Sequence, residues 1–443
     1  MLGSLFIGHA QDSNGSTAVT TKRSVTTKRS KAVAKKGART AAKPRAKGTS
    51  TAAKSKAMKK SKEAASSTAV HTPPRAVRRP RCRIDSLKYA SDCSGIEAAV
   101  VALELLGCAP TSHLWASDKD PACRAMLAHN FEIAQVLALV DDEPSQLDQP
   151  DLYTSGFPCQ PYSFQGNRNG SADVRSTPFW GVVQRIQRCL PKSFVLENVD
   201  ALVSVRYKHV YDLLVSLLIG IQERNRRAYD LHVKVLNSQH HACPQHRPRV
   251  YFVGVLRSCK RCIFSWPSDL LETPPLDSIL AAPGDELAGL VMPTSQTSLN
   301  GISRAYEKII AQGGDPTTEP WVGNIGNSEK FGNQVMKDMI PCLTQSRGRQ
   351  NGFWIFNRMR MMGIAELGRS QGFPTGRIQL PPAGSAQGMR NRRVTEHQLG
   401  GMYGNAFNVN TTMRILARLL PSIGIACDVR DPWSASSIPA DCL

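Results

Sequence analysis

Hydrophobic positions recur along the chain with two different periods, beginning near Leu87. Short apolar runs typical of buried strands alternate with stretches in which apolar residues recur at helical spacing. In the first helical stretch, Ile96, Val100, Leu103 and Leu106 fall on one stripe. The runs that predict strands read LKYASDC, HLWASD, DLYTSGF, SFVLEN, LHVKVLN and RVYFVGV. This alternation predicts an α/β fold with a doubly wound, mostly parallel sheet.

Breakers and capping residues place helices between these strands. Gly107 is expected to end the first helix, and Asp120 can cap a second helix that begins at Pro121. A third helix is predicted around 208–226, and regular structure closes with a helix over 405–420. These helices supply the connections that a parallel sheet requires.

The periodic pattern dissolves between residues 256 and 340. Pro, Gly, Ser and Thr are frequent there, and apolar residues follow no regular spacing. We therefore expect a small irregular domain or a large insertion at 256–340. The predicted organisation is a tail at 1–86, an α/β domain at 87–255, this region, and a part at 341–443 that completes the α/β domain.

Positive charge is concentrated in the tail. The formal net charge is +21, and residues 1–83 hold 21 Lys and Arg against two acids, Asp12 and Glu63. The segment repeats VTTKRS in tandem and has too few apolar residues to offset chain entropy, so we expect disorder. Its charge suits nucleic-acid phosphates, with a solvated extension that binds nothing as the alternative.

The same tail contains candidate targeting signals. The basic clusters AMKKSK and AVRRPRCR suit nuclear import, so the predicted location is the nucleus. An acid-poor N-terminus containing Ser and Arg could instead be an organelle transit peptide. The opening MLGSLFIGHA lacks the basic start of a secretory signal, and no apolar run is long enough to span a membrane.

The cysteines are scattered along the chain. There are 12 of them, which favours a reducing compartment with free thiols over a disulfide framework. His240 and Cys243, followed by Cys259 and Cys262, have a spacing that is compatible with zinc. The strand between these pairs also follows candidate active-site residues, so we predict no metal and keep zinc as an alternative.

The turn after the first strand is a candidate cofactor site. Ser94, Gly95 and Ile96 follow the strand, and glycine lets the backbone approach a ligand at a helix N-terminus. The second strand is followed by Asp118, an acid placed to bind ribose hydroxyls. Together they predict an adenosine-containing cofactor, although Asp118 could simply cap the next helix. The chain has neither GxGxxG nor GxxxxGK[ST], so nicotinamide or ATP binding has little support.

Three further segments point to reactive chemistry. GFPCQPYS places Cys159 just after an apolar strand, at the sheet edge where open α/β sheets bind ligands. Glu197 ends the buried strand SFVL, where an ionisable group is costly without a task or partner. Arg247 and Arg249 share one face and could address one anionic or carbonyl group. Taken singly, Cys159 could be a buried thiol and the arginines an exposed strand edge.

In this order, the motifs resemble those of the cytosine-C5 DNA methyltransferases. The resemblance covers roughly 87–255 and 341–421. The matching segments are SGI (94–96), the acid after the second strand, GFPCQPYS, ENV, QxRxR, LGRSQGFP (367–374) and GNAFNV (404–409). It implies a class I methyltransferase fold, S-adenosylmethionine as cofactor, double-stranded DNA as partner, and target recognition by 256–340. Gln160 and Ser163 match the mobile loop beside the target base.

The family's catalytic roles carry over to matching positions. The resemblance implies that Cys159 adds to C6 of cytosine, that Glu197 bonds N3 and the exocyclic amine, and that Arg249 contacts the O2 carbonyl. Arg247 would support the active-site loop. Thiolate addition turns the ring into an enamine, which makes C5 nucleophilic enough to take a methyl group. A stacked base is out of reach, so base flipping is implied as well.

Other positions match residues around the cofactor. Asp118 matches the ribose-binding acid, and Asn405, in the predicted closing helix, matches a contact to the cofactor's amino-acid end. Either Asp141 or Asp142 matches the acid that reaches the adenine amine.

The cofactor turn departs from the family pattern. Members usually read FSGIGG, whereas this chain reads SDCSGIEA, with Cys93 in place of Phe and Glu97 in place of the second Gly. The acid that precedes the Phe is displaced to Asp92, and Lys119 stands where an apolar residue often stacks on adenine. These differences put cofactor affinity in doubt more than the chemistry.

Two alternatives to DNA methylation remain. The transfer-RNA branch of the family usually lacks a long N-terminal extension and has a Cys-Phe-Thr tripeptide, which is absent here. A catalytically impaired regulator that binds chromatin through its tail is the other alternative. The altered cofactor turn keeps it open, while the intact reactive residues argue against it.

Overall fold

The structure is a computed structural model and describes residues 86–158, 178–282, 292–327, 334–350, 352–382, 393–426 and 429–433. All of these residues belong to one unit of the chain. The predicted basic tail lies outside the described part, except for Ser86. Cys159, Gln160 and Ser163 also lie outside it.

Strands and helices alternate through the α/β domain, as the hydrophobic pattern predicts. In chain order they are β1 (Lys88–Asp92), α1 (Ala98–Leu105), β2 (Ser112–Ser117), α2 (Pro121–Asn130), β3 (Val136–Leu137), β4 (Leu152–Ser155), α3 (Pro178–Cys189), β5 (Ser193–Val199), α4 (Lys208–Ile219), β6 (Gln222–Glu223), β7 (Arg226–Arg227), β8 (Tyr229–Asn237) and β9 (Pro248–Leu256). The later elements are α5 (Gln296–Ala311), β10 (Trp321–Gly323), β11 (Val335–Lys337), α6 (Gln345–Arg349), β12 (Trp354–Ile355), β13 (Arg360–Met361), α7 (Ile364–Ser370), α8 (Glu396–Asn405) and α9 (Val409–Ser422). The predicted cap of α2 is confirmed, because Asp120 Oδ1 accepts a hydrogen bond from the Ala122 N–H at 2.9 Å.

A central sheet joins seven of the strands in the order β3-β2-β1-β4-β5-β9-β8. β1 to β5 pair in parallel, and β9 runs antiparallel between β5 and β8. Every residue of β4 is buried, as expected for a strand covered on both faces. The predicted α/β fold is therefore confirmed. The carboxyl ends of β1, β4 and β5 meet at one edge, where such sheets bind ligands.

Helices cover both faces of this sheet. On one face α1 packs against α9, and their buried residues, such as Val101 and Ile415, join one core. On the other face α3 and α4 contribute Val182 and Leu214 to a second core, which contains the fully buried Trp115. Burying one large apolar side chain stabilises a fold by roughly 1.5–3 kcal/mol, so the two cores together stabilise the sheet from both faces.

The region after β9 has more regular structure than the sequence predicts. β10 to β13 form an antiparallel sheet in the order β11-β10-β12-β13, and α5 packs against it through Ala305 and Ile309. The prediction of an irregular 256–340 is wrong in that it contains this 16-residue helix. The predicted boundary at 340 also falls inside the sheet, since β12 and β13 follow it. Strands of two or three residues are too short to show a period of two.

Two predicted helix boundaries are wrong. The helix predicted over 208–226 ends at Ile219, and the chain continues into the β6–β7 hairpin. The turn residues of this hairpin, Arg224 and Asn225, have φ values of 50° and 62°. Asn is common at such positions, but Arg is not and glycine is missing, so Arg-Asn is only a weak turn signal.

The other wrong boundary concerns the closing helix. α9 begins at Val409, where the Asn408 side chain caps it. Asn405, predicted within the closing helix, is instead the last residue of α8.

The described cysteines are mostly free, as predicted. The free thiols are Cys93, Cys108, Cys123, Cys189, Cys243, Cys259 and Cys342. Cys262 departs from the prediction because it is disulfide-bonded. Cys243 is buried and its thiol donates to the Ser370 carbonyl at 2.9 Å. Within the described ranges no group of three or more His, Cys, Asp or Glu could hold a metal ion, so the zinc alternative gains no support.

None of the helices described here is long and apolar enough to cross a membrane.

Candidate active site

A cavity of about 570 Å³ opens at the carboxyl edge of the central sheet. Its walls come from the ends of β1, β2, β4 and β5, from the segment leading into β9, and from α6 and α8. The predicted site residues that line it are Ser94, Gly95, Asp118, Glu197, Arg247, Arg249 and Asn405. Ile96 does not line the cavity, because its side chain is buried in the core. The volume is in the usual range for small-molecule sites.

The turn after β1 presents backbone to the cavity. Gly95 has a φ of +57°, and a Cβ added there would meet nothing within 4 Å. Glu97 also has a left-handed backbone, with a φ of 54°. A non-glycine residue pays roughly 1–2 kcal/mol for this conformation. The position at which the family has glycine thus keeps a glycine-like backbone here.

Asp118 is held in place by backbone hydrogen bonds. Its Oδ2 accepts the Gly95 N–H at 3.0 Å, and its Oδ1 accepts the Asp120 N–H at 2.9 Å. Burial raises the pKa of the Asp118 carboxyl, and these two hydrogen bonds oppose the rise. The helix cap is Asp120, so the capping alternative does not explain Asp118.

The two candidate adenine-binding acids differ in their surroundings. Asp142 Oδ2 accepts the backbone N–H groups of Ala138 and Leu139 at 3.0 and 2.8 Å, which closes its own loop. Asp141 lines the cavity, as does the exposed Lys119. The structure therefore favours Asp141 as the acid that faces a ligand.

A buried ion pair that the sequence did not predict supports this loop. Asp92 is fully buried, and its Oδ2 lies 3.2 Å from Arg185 Nε of α3. Burial raises the pKa of Asp92, while Arg185 opposes the rise. Arg185 also donates to two carbonyls of the loop that contains Asp141, each at 2.6 Å. The amphipathic pattern of 178–189 was the available signal for this helix.

At the other end of the cavity, β5 and β9 bring Glu197 and Arg249 together. Arg249 opposes Val199 in the antiparallel register, which puts it diagonal to Glu197 on the same face. Arg249 Nε lies 3.1 Å from Glu197 Oε1, although the contact lacks the alignment of a hydrogen bond. Burial raises the pKa of Glu197, and Arg249 and Arg247 oppose the rise. The site therefore holds a carboxyl that keeps its proton to higher pH than an exposed glutamate.

Arg247 is fully buried and binds two distant segments. Its guanidinium donates to the carbonyls of Leu343 at 2.7 Å, Gly404 at 3.2 Å and Ala406 at 2.8 Å. Gly404 and Ala406 flank Asn405, so Arg247 positions the segment that brings Asn405 to the cavity. Its predicted support of the active-site loop stays a prediction.

Asn198 is a positioning residue to which the sequence analysis assigned no role. Its Nδ2 donates to the Phe157 carbonyl at 2.9 Å, and both residues are buried. Phe157 and Pro158 line the cavity and directly precede Cys159 in the chain. Asn198 thus anchors the segment that leads to the predicted nucleophile. Asn198 belongs to the ENV motif, so the sequence contained a signal for this residue.

Comparison with known proteins identifies the family. The model of the C-5 cytosine-specific DNA methylases matches residues 87–420. Type II methyltransferase M.NgoBI of Neisseria gonorrhoeae is 28% identical over 281 residues, which is 63% of this chain and 80% of that protein. Type II methyltransferase M.HaeII of Haemophilus aegyptius is 28% identical over 289 residues, which is 65% of this chain and 83% of that protein.

The fold is similar to that of a solved methyltransferase. The S. pombe Dnmt2 methyltransferase structure aligns with a TM-score of 0.50 and 18% identity, over 76% of this chain and 99% of that one. The family match spans both parts of the chain that build the cavity. The protein is therefore a cytosine-C5 methyltransferase of the C-5 cytosine-specific DNA methylase family, which uses S-adenosylmethionine as methyl donor.

Proposed function

We propose that the protein methylates C5 of cytosine in double-stranded DNA, through a covalent bond between Cys159 and C6 of a flipped base. The observation that carries this proposal is one cavity with two chemically different ends. Asp118 lies at the end of β2 and Glu197 at the end of β5, with β1 and β4 between them. At normal strand spacing these ends are roughly 14 Å apart, which leaves room for a cofactor beside a base. The match to a family of DNA methylases supports duplex DNA as substrate.

The residues at the β1–β2 end fit S-adenosylmethionine. The turn at Gly95 faces open space, and Asp118 and Asp141 offer carboxylate oxygens to the cavity. Asp118 would bind the ribose hydroxyls, Asp141 the adenine amine, and Asn405 the amino-acid end. When bound, the cofactor supplies an electrophilic methyl group.

The residues at the β5–β9 end fit a cytosine ring. The Cys159 thiolate adds to C6, and the electron pair of the C5–C6 double bond moves through the ring towards N3. Glu197, whose pKa is raised by burial, donates the proton that N3 takes up. Arg249 neutralises charge at the O2 carbonyl. The ring becomes an enamine with a nucleophilic C5, which would take the methyl group. The C5 proton then leaves to solvent, the C6–S bond breaks with the Cys159 thiolate as leaving group, and N3 returns its proton to Glu197, which restores the aromatic ring.

Burial of Glu197 also favours base flipping. Its side chain is 8% exposed and lies within the cavity, so a base stacked in a duplex could not reach it. The target base would therefore have to leave the helix.

Labelled S-adenosylmethionine, offered with duplex DNA and separately with bulk transfer RNA, tests this proposal. Transfer RNA is the necessary second substrate, because Cys342-Leu343-Thr344 differs by one residue from the tripeptide of the RNA branch. We expect methyl transfer to DNA. Transfer to RNA alone would overturn the DNA assignment, and transfer to neither, with cofactor binding intact, would favour the regulator. Bisulfite sequencing of the product DNA then identifies the target context.

We further propose that the basic tail binds DNA phosphates and directs the protein to the nucleus. Its composition supports both roles, with 21 Lys and Arg in residues 1–83. A fluorescent reporter fused to residues 1–86 should accumulate in the nucleus. Accumulation in an organelle would support the transit-peptide alternative.

A further inference from the structure

Glu97 is the residue of the cofactor turn that the proposed chemistry does not explain. Its side chain is almost completely buried beneath the turn, and its backbone adopts a strained left-handed conformation. A buried carboxyl group is costly unless other groups bind it. The contacts of Glu97 therefore indicate its task.

The Glu97 carboxyl group is bound from two strands at once. The Tyr89 hydroxyl of β1 donates to its Oε2 at 2.8 Å, and the Ser91 hydroxyl, also of β1, donates to its Oε1. His113 Nε2 of β2 lies 3.3 Å from Oε1. Tyr89 also contacts Thr154 of β4 at 2.5 Å between hydroxyl oxygens. Glu97 thus ties the start of α1 to the centre of the sheet.

One of these contacts continues into the cofactor turn. Ser91 Oγ and Ser94 Oγ are 2.6 Å apart, and Ser94 Oγ accepts the Ser117 N–H at 3.1 Å. Because the Ser91 hydroxyl donates to Glu97, the Ser94 hydroxyl must donate to Ser91. All the donors of this chain therefore point towards Glu97, an arrangement in which each hydrogen bond strengthens the next. Ser94 directly precedes Gly95, whose N–H binds Asp118.

We propose that Glu97 is a positioning residue for the cofactor, which sets the Ser94–Gly95 turn through Ser91. Where the family has glycine, the backbone adopts the left-handed turn without strain. Here the buried carboxyl group of Glu97 holds the turn in its conformation instead. The inference rests on the use of S-adenosylmethionine and is independent of whether the acceptor is DNA or RNA.

The experiment compares binding of S-adenosylhomocysteine, by calorimetry, to full-length wild type and variants. Glu97→Gly relieves the backbone strain but removes the carboxyl group, and we expect binding about tenfold weaker, as for loss of a hydrogen bond to a charged group. Ser91→Ala removes the hydrogen bonds that connect Ser94 to Glu97 and leaves Glu97 in place, so it should also weaken binding. Glu97→Gln keeps an acceptor for Ser91 and should recover part of the affinity.

Glu104→Gln is the matched control. Glu104 lies in α1, the helix that Glu97 directly precedes, and pairs with Arg377 away from the cavity, so its variant should bind as wild type does. In methyl-transfer assays, Glu97→Gly and Ser91→Ala should raise KM for the cofactor and leave kcat unchanged. A merely structural role would lower the melting temperature without this split.

The proposal is overturned if Glu97→Gly binds as tightly as wild type, or more tightly, because the backbone alone would then shape the turn. Wild-type affinity of Ser91→Ala would also overturn it. Should Glu97→Gly fail to fold, Ser91→Ala and Glu97→Gln decide the question.

Discussion

Replacement of Arg249 by methionine tests the electrostatics of the reactive end. Arg249 Nε lies 3.1 Å from Glu197 Oε1, and both side chains are buried. At an effective dielectric constant of about 20, two unit charges at that distance attract by roughly 5 kcal/mol before desolvation is subtracted. A carboxyl group beside an arginine typically has its pKa lowered by about 1–3 units. Arg249 opposes the rise that burial causes in the pKa of Glu197, so loss of Arg249 should raise that pKa further.

The sign of the effect on activity follows from the role of Glu197. The proposed step needs its proton, which is present below its pKa and lost above it. Wild-type activity should fall as pH rises through the Glu197 pKa, which gives the pH–rate profile an alkaline limb. In Arg249→Met this alkaline limb should move to higher pH, because the arginine no longer lowers the pKa of Glu197. The maximal rate should fall by about 10²–10³, since a contact to the O2 carbonyl is lost.

Single-turnover methyl transfer from labelled S-adenosylmethionine to a duplex oligonucleotide, measured across pH, separates these effects. Single turnover isolates the chemistry from product release. Glu197→Gln is the control, because it cannot titrate and should lack the alkaline limb. An alkaline limb that stays in place, or that moves to lower pH in Arg249→Met, would refute the reasoning.

Three further predictions concern the nucleophile, its anchor and the tail. Cys159→Ala should abolish methyl transfer and leave S-adenosylhomocysteine binding nearly unchanged in calorimetry; wild-type-like turnover would refute the nucleophile assignment. Asn198→Ala leaves the buried Phe157 carbonyl without its donor, so single-turnover rates should fall about tenfold with cofactor affinity intact, and an unchanged rate would contradict the anchoring role. Removal of residues 1–83 should weaken DNA binding and flatten its salt dependence without ending catalysis, whereas an unchanged salt slope would exclude phosphate binding by the tail.

Much of the α/β domain could be predicted from local pattern. Apolar runs predict the longer strands, and Asp120 and Pro121 predict the start of α2. Elements too short to show a periodic pattern, such as β3 and the strands of the second sheet, could not be predicted. The hairpin turn at Arg224 and Asn225 was not predicted, for a different reason. A left-handed backbone suits Asn225, but at Arg224 the fold imposes it against the residue's preference.

The sequence predicted which residues form the site better than it predicted how those residues are arranged in space. Glu197 and Arg249 were predicted separately, and the antiparallel register of β5 and β9 explains why they meet. The Asp92–Arg185 pair and the buried Glu97 could not be predicted. Arg185 is distant from Asp92 in the chain, and although Tyr89 and Ser91 are close to Glu97, only the folded sheet shows that their hydroxyls face its carboxyl group.

Arg247 is one of the buried side chains that connect the two halves of the catalytic domain. Asn405 reaches the cavity from a segment that follows the whole region after β9, yet the carbonyls on both sides of it bind Arg247. Buried carbonyls need donors, and a guanidinium offers more N–H donors than an ammonium does and holds them in one fixed plane. Arg247 directly precedes β9, the strand that contains Arg249 and lies against the strand of Glu197. Two neighbouring residues at the start of β9 thus position both ends of the cavity: Arg249 the reactive end, and Arg247 the end that would bind the amino-acid part of the cofactor. The two ends are therefore held at a fixed distance, although the whole region after β9 separates them in the chain.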